Sequence, residues 1–130
     1  MAKSIGDQEL ALLRHVAERA GVTVGEVAEA FGTDRGLARS TVLTMMERLR
    51  QKGYLTRRRG PDGVYRYRSS TPAAEVLRTA VRDFVRNTLD GEVSPVVAYL
   101  VEDAQVSDEE LAELEALVDR LQARRKEPRR

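Results

Sequence analysis

Cysteine is absent from this 130-residue chain, which excludes disulfides, thiol redox sensing, zinc ribbons and thiolate nucleophiles together. Histidine is nearly absent. His15 is the single one, and it falls mid-helix among apolar neighbours, where packing is the expected role rather than metal ligation or base catalysis. No stretch approaches the roughly 18 apolar residues of a membrane-spanning helix. The first residues also lack the basic, apolar, small-residue order of a signal peptide, so a soluble, cytoplasmic protein without membrane insertion is expected. No nucleophile stands with a base, no glycine-rich loop has phosphate-binding spacing, and no residues have metal-ligand spacing. The chain is therefore not expected to be an enzyme or to carry a cofactor or metal. Acidic clusters such as Asp108-Glu109-Glu110 fit helix-start electrostatics.

The formal net charge is only +1, but it is unevenly distributed. Residues 1–70 hold 13 Lys/Arg against 8 Asp/Glu, and residues 71–130 hold 9 against 13. The first half is thus +5 and the second −4. Between Arg35 and Arg68 ten basic residues face two acids, Glu47 and Asp62, which makes this segment the candidate for a polyanion.

Apolar spacing and punctuation divide the chain into elements. Ser4 with Asp7 resembles a capping box, and Leu10, Leu13, Val16, Ala17 and Ala20 then predict a helix over about 7–19. Gly21 ends it. Thr23 with Glu26 forms a second capping box ahead of Val24, Val27, Ala28 and Phe31, predicting a short helix that stops at Gly32. A third helix is predicted over 38–52, with Val42, Met45, Met46 and Leu49 on one face and Gly53 as its stop. The methionines there fit core filling. Two short segments, 54–59 and 64–69, flank Gly60-Pro61-Asp62-Gly63 and form a hairpin. Alternation sends Tyr65 and Tyr67 to one face, and Val64, Arg66 and Arg68 to the other. Thr71-Pro72 opens a long helix to about residue 89. Ser94-Pro95 repeats that signature before 96–101, and Ser107 with Glu110 opens a last helix to about residue 125.

The order helix, helix, helix, hairpin is that of a winged helix-turn-helix. The expected fold class is mainly α with a small β component (α+β): a winged helix-turn-helix DNA-binding domain over 1–70 and a helical dimerisation domain over 71–130. A B-DNA major groove, about 12 Å wide, admits one helix, so the second helix of the motif must present short polar groups near its N-terminus. Arg39, Ser40, Thr41 and Thr44 are the candidates for base contact. Arg57, Arg58, Arg59, Arg66 and Arg68 on the wing, with Lys52 and the helix start at Thr23, are the candidates for phosphate contact. A basic face can also be merely solvated, but here the charge coincides with the element order. A winged-helix module that binds protein and not DNA is the alternative.

In the second half Val76, Leu77, Ala80, Val81, Phe84, Val85 and Leu89 form a stripe too wide for a lone surface helix. Val96, Val97, Tyr99, Leu100 and Val101 form a second apolar block, and Leu111, Leu114, Leu117, Val118 and Leu121 a third. About 60 residues cannot bury three such faces unaided. A lid folded over the N-terminal half is one solution. Pairing with a second copy is the favoured one, because a twofold homodimer also presents two recognition helices to an inverted-repeat operator on double-stranded DNA. Val81, Phe84, Val85, Val97, Tyr99, Leu100, Leu114, Leu117 and Leu121 are the expected dimer contacts.

These residues also resemble the penicillinase repressor family of winged-helix transcriptional repressors, which includes copper-responsive members. The resemblance runs from about Asp7-Gln8-Glu9-Leu10 to Leu121. It is carried by Thr23-Val24-Gly25-Glu26-Val27, by Ser40 to Leu49 running into Lys52-Gly53-Tyr54-Leu55, by Tyr65-Arg66-Tyr67, and by Ser107-Asp108-Glu109-Glu110-Leu111. It implies a dimer that blocks promoters at inverted repeats and controls resistance or stress genes. Copper-responsive relatives carry a C-terminal cysteine cluster, and this chain has none. Penicillin-responsive relatives are released from DNA by a cut at an Asn-Phe bond, made through a membrane sensor-protease. By position, Ala98-Tyr99 stands at that bond here, so the resemblance implies Ala98 and Tyr99 as a cleavage site.

Overall fold

The computed structural model describes residues 5–127. Helix α1 (Asp7–Ala17) starts at Gly6 without a side-chain cap. The expected capping residue Ser4 lies outside the described residues. The helix also closes earlier than residue 19, because the Arg19 amide turns back to Val16 O at 3.0 Å and tightens the last turn.

Helix α2 (Val24–Val27) carries the predicted capping box in full. Glu26 N donates to Thr23 Oγ1 at 3.1 Å, and Thr23 N donates to Glu26 Oε1 at 2.9 Å. The expected stop at Gly32 is corrected. The chain continues through a wide π-turn (Ala28–Gly32), in which the Thr33 amide reaches back to Ala28 O, into one more helical turn, α3 (Thr33–Arg35). Gly32 serves close packing instead. A Cβ there would lie 3.0 Å from Leu37 O and 3.1 Å from Val42 Cγ2, so the missing side chain lets the π-turn approach Leu37 and Val42. The actual stop is Gly36, left-handed at φ 66°, a conformation that glycine adopts without strain.

Helix α4 (Arg39–Gln51) buries Val42, Met45, Met46 and Leu49, the predicted stripe. Strands β1 (Leu55–Arg59) and β2 (Tyr65–Ser69) pair antiparallel, with Arg57 opposite Tyr67 and Arg58 opposite Arg66. Val22 adds a one-residue bridge to Tyr67, with both backbone hydrogen bonds formed at 3.0 and 2.7 Å. No periodicity marks so short a strand, so sequence reading misses it. Leu12, Leu13 and Val16 of α1 join Val22, Val27, Phe31, the α4 stripe, Tyr54, Leu55 and Tyr67 in one core. Each such aliphatic side chain, fully buried, contributes about 1.5–3 kcal/mol.

After the hairpin, Pro72 does not open the long helix. It precedes a 3₁₀ turn (Ala73–Glu75), and α5 (Val76–Asn87) follows. Val76 enters the core, and the Tyr54 hydroxyl donates to the Asp83 carboxylate, which ties α5 to the base of the hairpin. Two compact units divide between Glu92 and Val93. In the second unit, α6 (Ser94–Glu102) has Val93, not Ser94, at its cap position, and Ser94 is already helical. Helix α7 (Asp108–Arg125) opens with the predicted capping box of Ser107 and Glu110.

Candidate nucleic-acid interface

The face of α4 turned away from the core presents Arg39, Ser40, Thr41, Leu43 and Thr44, all exposed. Their spacing is complementary to Val42, Met45, Met46 and Leu49, so burying that stripe leaves these residues outside. Thr44 Oγ1 donates to Ser40 O at 3.0 Å, which ties its hydroxyl to the helix backbone and leaves its methyl group for contact. The Arg39 guanidinium folds over the first turn of α2, where a Cβ on Gly25 would lie 3.7 Å from it. Arg39, Leu43, Thr23 and the wing residues Val64 and Tyr65 line one groove. Leu43 and Val64, each more than 40% exposed, were not among the candidates. Leu43 was legible in principle, as a leucine at helical spacing on a polar face.

Thr23 stands at this groove with both its amide and its hydroxyl oxygen engaged by Glu26. The hydrogen bonds of this box hold the Glu26 carboxyl below its ordinary pKa.

The two faces of the hairpin have different tasks. Thr56, Arg58, Arg66 and Arg68 share the outer face, where cross-strand pairing sets Arg58 beside Arg66 and Thr56 beside Arg68. Among the described residues Arg39, Arg58, Arg59 and Arg68 form no ion pair. Arg66 binds Asp62 through two hydrogen bonds of 3.1 and 3.0 Å, and Asp62 also accepts from Val64 N. This bracing of the turn lowers the Asp62 pKa to about 2, with Arg66 the main cause. On the other face Arg57 lies 4.0 Å and Arg59 4.9 Å from the Tyr65 ring centre, in cation–π contact.

Besides Arg66, two expected phosphate contacts are ion-paired. Arg57 is half-buried and pairs with Glu47 at 3.2 Å. Glu47 also accepts from Arg50 at 2.8 Å and from the Tyr67 hydroxyl at 2.6 Å, and these bonds, led by Arg50, lower its pKa to about 2. Lys52, at the far end of α4 from Arg39, pairs with Glu9 of α1 at 2.8 Å. A 13-residue helix is about 20 Å long, so Lys52 braces the α1–α4 seam well away from the Arg39 end. Sequence reading missed Glu9 because its partner Lys52 lies 43 positions along the chain, and Glu47 because Arg57 and Tyr67, 10 and 20 positions on, join the nearby Arg50 only in the fold.

His15 packs against Phe31, with ring centres 5.6 Å apart, and burial lowers its pKa, as expected for a packing histidine. Of the expected dimer contacts, Val81, Phe84, Val97, Tyr99, Leu100, Leu117 and Leu121 are exposed, while Val85 and Leu114 are half-buried. Ala98 and Tyr99 lie inside α6. No helix among the described residues is long and apolar enough to cross a membrane.

The family model described as penicillinase repressor matches residues 5–120. A penicillinase repressor of Bacillus licheniformis is 24% identical over 123 residues, covering 95% of each chain. Among solved structures, the transcriptional regulator SlyA superposes with a TM-score of 0.50 at 20% identity, covering 93% of this chain and 76% of that one. MepR, a transcription regulator of the Staphylococcus aureus multidrug efflux pump MepA, gives 0.50 at 15% identity, with coverages of 94% and 81%. At these identities the structural likeness bears on the fold alone, and it agrees with the winged helix-turn-helix expected from the element order.

Proposed function

The chain belongs to the penicillinase repressor family, and from that premise we propose that it is a homodimeric repressor that binds inverted-repeat operator DNA. The observation that carries this reading is the exposure of Arg39, Ser40, Thr41 and Thr44 on one face of α4, beside a wing whose outer face gathers Arg58, Arg66 and Arg68. Arg39 swings out to a guanine edge, Leu43 and the Thr44 methyl meet thymine methyls, and the hydroxyls take bases or phosphates. The wing arginines supply salt-dependent affinity and fix register more than they specify sequence.

Residues 1–70 read DNA and residues 71–130 join two copies. The exposed apolar faces of α5, α6 and α7 support the second part, since among the described residues none after Val76 is buried. The repressor works in the cytoplasm on resistance or stress genes, and a membrane sensor-protease releases it by a cut at Ala98-Tyr99. That bond lies within a helical segment, so α6 must unwind locally before a protease can seat it.

Electrophoretic mobility against the DNA upstream of the chain's own coding sequence tests the reading. Arg39→Ala is expected to cost about 1–3 kcal/mol of base discrimination, and Arg58→Ala to weaken all sequences alike. A wild-type protein that shifts neither this DNA nor any other duplex favours the protein-interaction module instead.

A further inference from the structure

Glu47 is an acid in the most basic segment of the chain, set on α4 one turn beyond Leu43 and Thr44. A bare carboxylate at that place would repel phosphate. The structure instead surrounds it with donors from three elements: Arg50 of α4, Arg57 of β1, and the Tyr67 hydroxyl of β2. Arg57 is held a second time by the Tyr65 ring beneath it.

We propose that Glu47 is a specificity-determining positioning residue: it withholds Arg50 and Arg57 from indiscriminate phosphate contact and fixes the wing against the recognition helix. The inference rests on the DNA-binding reading above. Non-specific affinity grows with the number of phosphates that the protein neutralises, whereas specific affinity depends on base contacts held in register. Internal pairing of two arginines lowers the first without weakening the second. Fixing β1 and β2 against α4 strengthens the second, because less ordering remains to be done on binding. The ratio of specific to non-specific binding rises on both counts.

Glu47→Gln removes the charge while keeping the size and an acceptor for Tyr67. Fluorescence anisotropy would follow binding to two duplexes of equal length, one from the DNA upstream of the chain's coding sequence and one scrambled, over a salt series. For the variant, the slope of log K against log salt on the scrambled duplex is expected to steepen by about 1–2, one for each arginine released. The preference for the upstream duplex should fall about tenfold. Arg57→Gln supplies an independent reading should Glu47→Gln fail to fold. Its slope is expected to stay near the wild-type value, while Arg58→Gln lowers the slope by about 1.

A lowered Tm with unchanged slope and preference in Glu47→Gln would overturn the proposal and leave Glu47 a structural brace. Equal slope losses in Arg57→Gln and Arg58→Gln would overturn it too. A wild-type protein that binds neither duplex removes the DNA reading and this inference together, whereas wild-type binding with unaltered variants removes the inference alone.

Discussion

The stripe Val42, Met45, Met46, Leu49 on α4 and the stripe Leu111, Leu114, Leu117, Val118, Leu121 on α7 carry the same helical spacing, yet they meet opposite fates. The first is wholly buried within its own chain, while Leu117 and Leu121 remain about half exposed. Periodicity reports that a helix has an apolar face but not which surface covers it. In the N-terminal unit the cover is α1, α2 and the hairpin. For the C-terminal helices the proposed cover is a second copy.

The sharpest way to break that comparison is to delete one leucine from each stripe. Leu49→Ala should destabilise the folded protein by about 2–5 kcal/mol, read as a lower urea midpoint at every protein concentration. Leu117→Ala should instead act through association, shifting the midpoint only in the range where dimers form. Concentration-independent losses in both variants would show that α7 is covered within its own chain. A second, smaller contrast uses the two capping boxes. Thr23→Ala should cost the N-terminal unit about 1 kcal/mol, whereas Ser107→Ala should reduce helix content in α7 and leave the urea midpoint of the dissociated chain unchanged. Circular dichroism and urea titration together separate these outcomes.

The smallest expected effect is a pH dependence centred on Glu47 of α4. Glu47 has a folded pKa of about 2 against an ordinary 4.5, so its ionised form stabilises the fold fully above about pH 4.5. That contribution is lost as pH falls toward 2, because the native state resists the proton that the unfolded chain accepts. With solvent screening at a partly exposed site it is on the order of 1 kcal/mol. Glu47→Gln should therefore flatten the decline of Tm between about pH 4.5 and 2. An unchanged decline would assign acid sensitivity to other carboxyls.

Much of this architecture was legible because its determinants are local. The α4 stripe, the Gly60 to Gly63 turn and the capping boxes of Thr23 and Ser107 each involve residues a few positions apart, and the structure reproduces them. Gly32 misled for an equally clear reason. Glycine stops helices and also permits close approach, and only the positions of Leu37 and Val42 decide between the two. Pro72 was similarly ambiguous between the start of α5 and the 3₁₀ turn before it.

By itself the sequence determined the element order, the face of α4 that turns outward, and the separation of a basic half from an acidic one, since spacing and charge are properties of the chain. Only the tertiary structure decided how individual cations are employed: Lys52 with Glu9 and Arg57 with Glu47. The reason is one of distance. A side-chain pair forms wherever folding brings two groups within about 4 Å. For Lys52 and Glu9 that closes 43 positions of intervening chain, which no local pattern records.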